Sequence, residues 1–309
     1  MTVYTRTGTV HIYGFAHDNP MSRLFVCYEQ DLPSFNMKEK LLEKLEWEDL
    51  GSDGADTYLR NGDNVLVTID RMHVHAENID RKAEEFGVKV DDIVVLSRHS
   101  SSSGKPTLTV HPIGNYRANE MGGQAETLVK AAPHLMTSTL RRMAAINKDP
   151  VYSVSFEVTH HGPYVDVPTM YIEIGSDESH WGDRTAAEVL VDSLLSADEK
   201  DYPTVIGVGG GHYAPRFTEL VLSTKVDMGH MVPNYQINDA SDEDVSRMIS
   251  SAAKASGTDM VYVHRNSMTG PEERRVNGII DSLGLQRVSS KDFDSTDDDT
   301  TNSIRFLQM

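Results

Sequence analysis

Thr204-Val205-Ile206-Gly207-Val208 runs into Gly209-Gly210-Gly211-His212-Tyr213 and then into Ala214-Pro215-Arg216-Phe217, and this stretch decides the fold class. A short apolar run bounded by glycine predicts a buried strand, and Pro215 predicts the first turn of a helix. A strand that feeds a helix in this way is the repeating unit of an α/β protein. A glycine turn also lets backbone N–H groups approach an anion at a helix N-terminus. No Gly-Lys-Ser/Thr follows, so this is neither a phosphate loop nor the dinucleotide fingerprint. A tight connection explains one glycine more easily than the four present here, so His212 at the tip reads as functional.

The alternation extends in both directions. Strands are predicted at Leu24–Tyr28, Val65–Ile69, Asp92–Leu96, Thr107–His111, Val151–Thr159, Met170–Ile174 and Met260–Val263. Helices are predicted at Met37–Glu46, Ile79–Phe86, Ala186–Leu195, Pro215–Thr224, Asp242–Ala255 and Pro271–Leu283. Glu126–Ile146 reads as largely helical, with Pro133 starting a new helix or kinking the old one. Thr9–Tyr13 is an expected edge strand and Ile304–Leu307 an expected last strand, preceded by an acidic, mobile Ser289–Ser303 loop. The expected fold is a three-layer α/β/α arrangement around a mixed sheet. Residues 1–23 read as an extension, 24–288 as the working domain, and 289–309 as its acidic loop and final strand.

The 309 residues are 39% hydrophobic and 25% charged, as in a globular protein with a substantial core. No run approaches the ~18 apolar residues of a membrane helix. The first twenty residues lack a basic region followed by an apolar one, so no secretion signal is expected. The single cysteine, Cys27, lies in an apolar run and is expected to be a buried thiol. A cytoplasmic enzyme follows. The net charge of −18 opposes phosphate binding, so any RNA contact must use a local basic patch. Aspartate-rich acids and an excess of arginine over lysine fit a salt-adapted surface.

Histidines fall at strand ends: His99, His111, the pair His160-His161, and His212. A lone histidine there is more often a cap or core residue than a ligand, but four such ends exceed scatter. In Ser153-Val154-Ser155-Phe156-Glu157-Val158-Thr159-His160-His161, strand alternation puts Glu157 and His161 on one face and His160 on the apolar one. A carboxylate beside an imidazole suits zinc when no thiolate is available, and equally suits a buried Glu–His hydrogen bond. Glu173, an acid inside an apolar strand, must be met by a cation or by donors if it is buried. His73 and His75, in charged surroundings, read as surface residues, and His11, His17, His134 and His264 have no companions.

Four segments together resemble one family. They are Leu96-Ser97-Arg98-His99 through Gly104-Lys105-Pro106-Thr107-Leu108-Thr109-Val110-His111 to Gly114-Asn115; Thr159-His160-His161-Gly162-Pro163; Glu173-Ile174-Gly175-Ser176 with Trp181; and Gly209-Gly210-Gly211-His212-Tyr213-Ala214-Pro215. In this order and spacing they look like the D-aminoacyl-tRNA deacylases of archaea and plants, over about Leu24 to Leu283. The resemblance implies a zinc hydrolase with two zinc ions and a phosphorylase/hydrolase-like fold akin to peptidyl-tRNA hydrolases. The extension and the acidic tail depart from the family pattern.

The residues themselves supply the assignment of roles. His99, His161 and His212, with Glu157 or Glu173, are the expected metal site, with His111 and His160 in or beside it. The carboxylate that does not hold metal is the expected base, and His160 is a further catalytic candidate. Gly209, Gly210 and Gly211 are expected to face the developing oxyanion, with Arg98 and Lys105 on the substrate. Arg141, Arg142, Arg274 and Arg275 are the expected contacts to tRNA. The expected partner is D-aminoacyl-tRNA, not DNA or membrane, for a monomeric protein. A zinc peptidase or a nucleoside-processing hydrolase on the same fold is the competing reading. A non-catalytic RNA-binding module is disfavoured, because aromatics are only 7% of the chain.

Overall fold

The computed structural model describes residues 22–296, together with a short antiparallel backbone pair, β1 (Val3–Thr5) and β2 (Gly8–Val10). The remainder of the expected Thr9–Tyr13 strand and the expected Ile304–Leu307 strand lie outside the described residues. In chain order there follow β3 (Arg23–Tyr28), α1 (Leu32–Lys44), β4 (Glu48–Asp53), β5 (Asp56–Asn61), β6 (Asn64–Ile69), α2 (Ile79–Glu85), β7 (Asp92–Arg98) and β8 (Thr107–Pro112). Next come α3 (Pro133–Ile146), β9 (Ser153–Phe156), β10 (Thr169–Gly175), α4 (Glu178–Trp181), α5 (Arg184–Leu195), β11 (Thr204–Val208) and α6 (Pro215–Ser223). The last are β12 (Asp227–Val232), α7 (Asn234–Ile237), α8 (Asp242–Ser256), β13 (Met260–Val263), α9 (Gly270–Ser282) and β14 (Gln286–Val288).

The strands form a large mixed sheet, ordered β4-β5-β6-β3-β7-β10-β8-β9, and a parallel four-stranded sheet, β12-β11-β13-β14. Alternation along the central strands sorts side chains to two faces. Phe25, Cys27, Val94, Leu96 and Ile172 share one core with residues of α1, α3, α5 and α6. Leu24, Val26, Ile93, Val95 and Tyr171 share the opposite core with α2. The small sheet turns Val205, Met228 and Tyr262 into the first core, and Ile206, Val208 and Val261 against α8 and α9. Helices thus flank mixed β structure on both sides, as the alternation predicts. Cys27 is buried, its Sγ beside the Ser34 carbonyl.

Several expectations need correction. Residues 126–132 are not helical; the helix begins at Pro133, because the residue before a proline is driven out of the helical region. The 151–159 strand is only β9, and the chain leaves the ladder at Glu157. The described part of the acidic stretch is docked: the Lys225 N–H donates to Asp294 O at 2.7 Å, and Thr296 Oγ1 donates to Leu222 O at 2.9 Å. The β4–β5 hairpin and the strands β12 and β14 were not expected. Among the described residues no helix is long and apolar enough to cross a membrane.

Candidate active site

Strand β10 is the backbone of the site. Its apolar Ile172 faces one core, so Tyr171 and Glu173 project from the other face. Tyr171 pairs with Val95 of β7 and His111 of β8, and Glu173 pairs with Ser97 and Thr109. Beyond β7 the His99 N–H donates to Ile174 O at 3.0 Å, which folds His99 over Glu173. Gly175 is required there, because a Cβ would lie 2.5 Å from Thr107 Oγ1 and 2.9 Å from the His99 ring. Strands β8 and β9 run opposite to β7 and β10. The histidines therefore do not meet at one common strand-end edge, as the sequence suggested, but over the face of the sheet.

Glu157 leaves β9 with its N–H still donating to Val110 O at 3.1 Å, and bridges to Tyr213 after the glycine turn. Thr159 is then pinned: its Oγ1 accepts from Met231 N–H at 2.9 Å and lies 3.0 Å from His230 Nδ1. The chain turns there, and His161 adopts a φ of +43°. That turn overrides the strand alternation and carries both His160 and His161 inward. His160 packs on His111 at 4.1 Å between ring centroids, and on His161 at 4.4 Å.

Two trios with no shared residue result, His111 with His160 and His161, and His99 with Glu157 and His212; the ligand atoms of each lie within 4.8 Å of one another, as do those of a third trio, His111, Glu157 and Glu173, that joins the two. His161 therefore belongs with His111 and His160, not with His99 and His212. Glu157 Oε2 lies 2.8 Å from His212 Nε2 and 3.0 Å from His99 Nδ1. Glu173 spans the trios, 3.4 Å from His99 Nδ1 and 3.7 Å from His111 Nε2. Glu157, Glu173, His99 and His111 are all buried.

These residues fit a metal. Nδ1 of His111, His160 and His161 faces a backbone carbonyl, of Pro112, Val158 and Gly162 respectively, at 2.7–3.1 Å. A carbonyl can only accept, so Nδ1 carries the hydrogen and Nε2 keeps its lone pair, as metal-binding imidazoles are commonly held. His111 Nε2 and Glu157 Oε1 are buried without a hydrogen-bond partner among the described residues. Burial pushes His160 and His161 well below the ordinary histidine range and leaves them neutral. Burial opposes charge on His99 too, but Glu157 and Glu173 raise it to about 11. Burial and Glu157 would raise the Glu173 carboxyl, yet His111 and His99 hold it down to about 2. The set is nitrogen and oxygen only, the donors zinc takes in the absence of thiolates.

The glycine turn delivers His212 but not three free donors. Gly209 N–H donates to Val232 O at 2.8 Å, and Gly210 N–H to Ser267 Oγ at 2.9 Å. Gly209 has a φ of +107°, and a Cβ there would stand 2.8 Å from Ser267 Oγ. Of the three, only the Gly211 N–H has no hydrogen-bond partner among the described residues. Arg98 ends β7 with its guanidinium over the Trp181 ring, and Lys105 is exposed at the far end of the loop that follows. Arg141 does not face solvent: it donates to Asp227 and to the carbonyls of Val221, Thr224 and Val226. Arg275 is likewise tied to Asp242 and Ala240 O, and Arg142 to Ser196. Arg274 has no carboxylate partner among the described residues.

Several neighbours escaped the sequence reading. His73 is buried, not a surface residue, and stands edge-on to Tyr171 at 5.4 Å. His134 has a companion, with Nδ1 2.6 Å from Asp227. Tyr213 Oη reaches His99 Nε2. The one signal for Tyr213 was its place beside His212 in the glycine turn.

A sequence model of the D-aminoacyl-tRNA deacylase family matches residues 86–288. A D-aminoacyl-tRNA deacylase of Methanococcoides burtonii is 37% identical over 278 residues, which are 88% of this chain and 57% of that protein. One from Methanosarcina mazei is 35% identical over 270 residues, covering 84% of this chain and 90% of that one. The crystal structure of a conserved protein of unknown function matches with a TM-score of 0.79 at 30% identity, over 89% of this chain and 97% of that chain.

Proposed function

The chain belongs to the D-aminoacyl-tRNA deacylase family, and from that premise we propose that it hydrolyses the ester joining a D-aminoacyl group to the 3′ end of tRNA. The observation that carries the chemistry is the packing of two buried carboxylates among histidines whose lone pairs converge. We infer two zinc ions, one held by His111, His160 and His161 and one by His99, Glu157 and His212. When bound, zinc acidifies water and polarises a carbonyl.

The chain's own groups then have distinct tasks. Glu173 faces both trios, 3.4 Å from His99 Nδ1 and 3.7 Å from His111 Nε2, and is ionised, so it is placed to accept a proton from the attacking water. Gly211 N–H is the turn's donor to the developing oxyanion. The ester C–O bond breaks, and the ribose alkoxide takes the proton back from Glu173. The products are a free D-amino acid and tRNA. An alkoxide leaves more readily than an amine, so no strong general acid is needed. Chirality is read by the fit of the Cα substituent against the turn, which makes glycine the hardest substrate to exclude.

The test compares D-tyrosyl-, L-tyrosyl- and glycyl-tRNA, with and without a chelator. Hydrolysis of the D-ester alone or with the glycyl ester, abolished by chelation and restored by zinc, is expected. Equal rates on D- and L-esters, or full activity after zinc removal, refutes the mechanism.

A further inference from the structure

Outside the histidine cluster, the segments that follow β3, β6 and β10 bring Leu32, His73 and Trp181 beside Arg98 at the end of β7. The Arg98 guanidinium lies over the Trp181 ring, 4.9 Å from its centroid. Its nearest carboxylate oxygen, on Asp31, is 3.7 Å from Nε, beyond hydrogen-bond reach. A structural arginine beside a buried aspartate would close that gap as a bidentate pair. Asp31 is instead occupied by the backbone, with Oδ1 accepting from Ser34 N–H at 3.0 Å and Oδ2 from Arg98 N–H at 3.3 Å. The guanidinium donors meet no acceptor within hydrogen-bond reach among the described residues, and the Arg98 side chain is 37% exposed.

Two further facts point to a ligand. His73 is 4% exposed, and among the described residues neither ring nitrogen has a hydrogen-bond partner, although Nε2 stands 3.5 Å from Asp31 Oδ2. A buried imidazole left with both a free donor and a free acceptor is costly unless something meets it. Leu32 is 49% exposed and lies where a Cβ on Gly182, next to Trp181, would touch it at 3.6 Å. Lys105, exposed and without a carboxylate partner among the described residues, closes the same loop that starts after Arg98. The group is joined to the cluster, since Trp181 Nε1–H donates to His99 O at 2.9 Å.

We propose that Leu32, His73, Arg98, Lys105 and Trp181 form the subsite for the single-stranded 3′-terminal nucleotides of the RNA. This rests on the hydrolysis proposed above. The base packs on Leu32 and Trp181, which accept any base face. The phosphates meet Arg98 and Lys105, cations held open on a chain whose net charge is −18. His73 offers its donor and acceptor to the hydroxyls and edges of the nucleotide.

The probe is the trinucleotide CpCpA, titrated into zinc-loaded Trp47→Phe protein, in which Trp181 is the sole tryptophan. CpCpA is expected to change the Trp181 emission saturably. Arg98→Gln and, separately, the surface change Leu32→Ala are each expected to weaken binding about tenfold. Arg98→Gln should also reduce the slope of log affinity against log salt by about 0.7. In turnover, Arg98→Gln/Lys105→Gln is expected to lower kcat/KM on D-tyrosyl-tRNA about tenfold more than on D-tyrosine ethyl ester, through KM. No emission change, binding indifferent to both substitutions, or equal losses on the two esters overturns the subsite. Loss of the hydrolysis proposal is read separately, as a wild-type protein that spares D-tyrosyl-tRNA.

Discussion

The Tyr213 hydroxyl oxygen lies 2.9 Å from Nε2 of His99, whose other ring nitrogen is 3.0 Å from Glu157 Oε2. Held at both nitrogens, the His99 ring can neither rotate nor exchange the atom it presents to the cluster. Tyr213→Phe is expected to keep the fold and to lower zinc affinity and kcat together by about 10–100-fold. Competition titration against a chromophoric chelator, alongside circular dichroism, checks it. Unchanged affinity and kcat would make Tyr213 a packing residue.

The division into two trios predicts unequal losses. His161→Ala should remove one of two bound zinc ions and lower kcat at least about a hundredfold, while Glu157→Gln should weaken the other. Metal analysis of the purified variants decides this. Full zinc content in His161→Ala would show that the ring is not a ligand.

Arg141 is a structural group. Its guanidinium satisfies three carbonyls and the buried Asp227 carboxylate, so Arg141→Ala leaves the carbonyls unmet and Asp227 with His134 alone. The expected loss is about 3–5 kcal/mol of stability in a denaturant titration, with KM for tRNA unmoved in the folded protein. A stable variant with a raised KM would return Arg141 to the RNA surface.

Burial pushes His230 down to about 4, while its bond to Val129 O opposes the shift only in part. The folded form binds no proton there until about pH 4, whereas the unfolded chain binds one below about 6.5. The unfolded state thus holds more protons between these values, and stability falls as pH drops through that window, by about 3 kcal/mol at most. His230→Gln should flatten this fall between pH 6.5 and 4, read as unfolding midpoints in urea at several pH values. Parallel pH profiles of the two proteins would remove His230 from the account.

Residue pattern carried much of the fold and the members of the site, but not their arrangement. Strand β11 is read to the residue, because Val205, Ile206 and Val208 form an apolar run that ends abruptly in three glycines. Strand β12 is hidden because Gly229 and His230 interrupt its apolar run; Gly229 is there because a Cβ would meet Ser256 Oγ at 2.3 Å. The β4–β5 hairpin is mostly exposed along β4 and lacks a clean alternation. All seven expected histidine and carboxylate residues converge, yet the partition into trios is not visible. It depends on β8 running against β10 and on the turn fixed at Thr159 by His230, 71 residues away. Strand direction and such distant pinning leave no local trace. Arg141 misled for the same reason, since its four partners lie about 80 residues downstream.

The bridge between Glu157 and Tyr213 is a seam where the large sheet meets the turn leaving the small one. A chain emerging from the ribosome can close neither trio early: His212 completes one, and the turn that carries His160 and His161 inward waits for Met231 and His230 to pin Thr159. Both pockets therefore form together, once the small sheet has been made and docked, and a metal held by them would be taken up by the finished domain and not by the nascent chain.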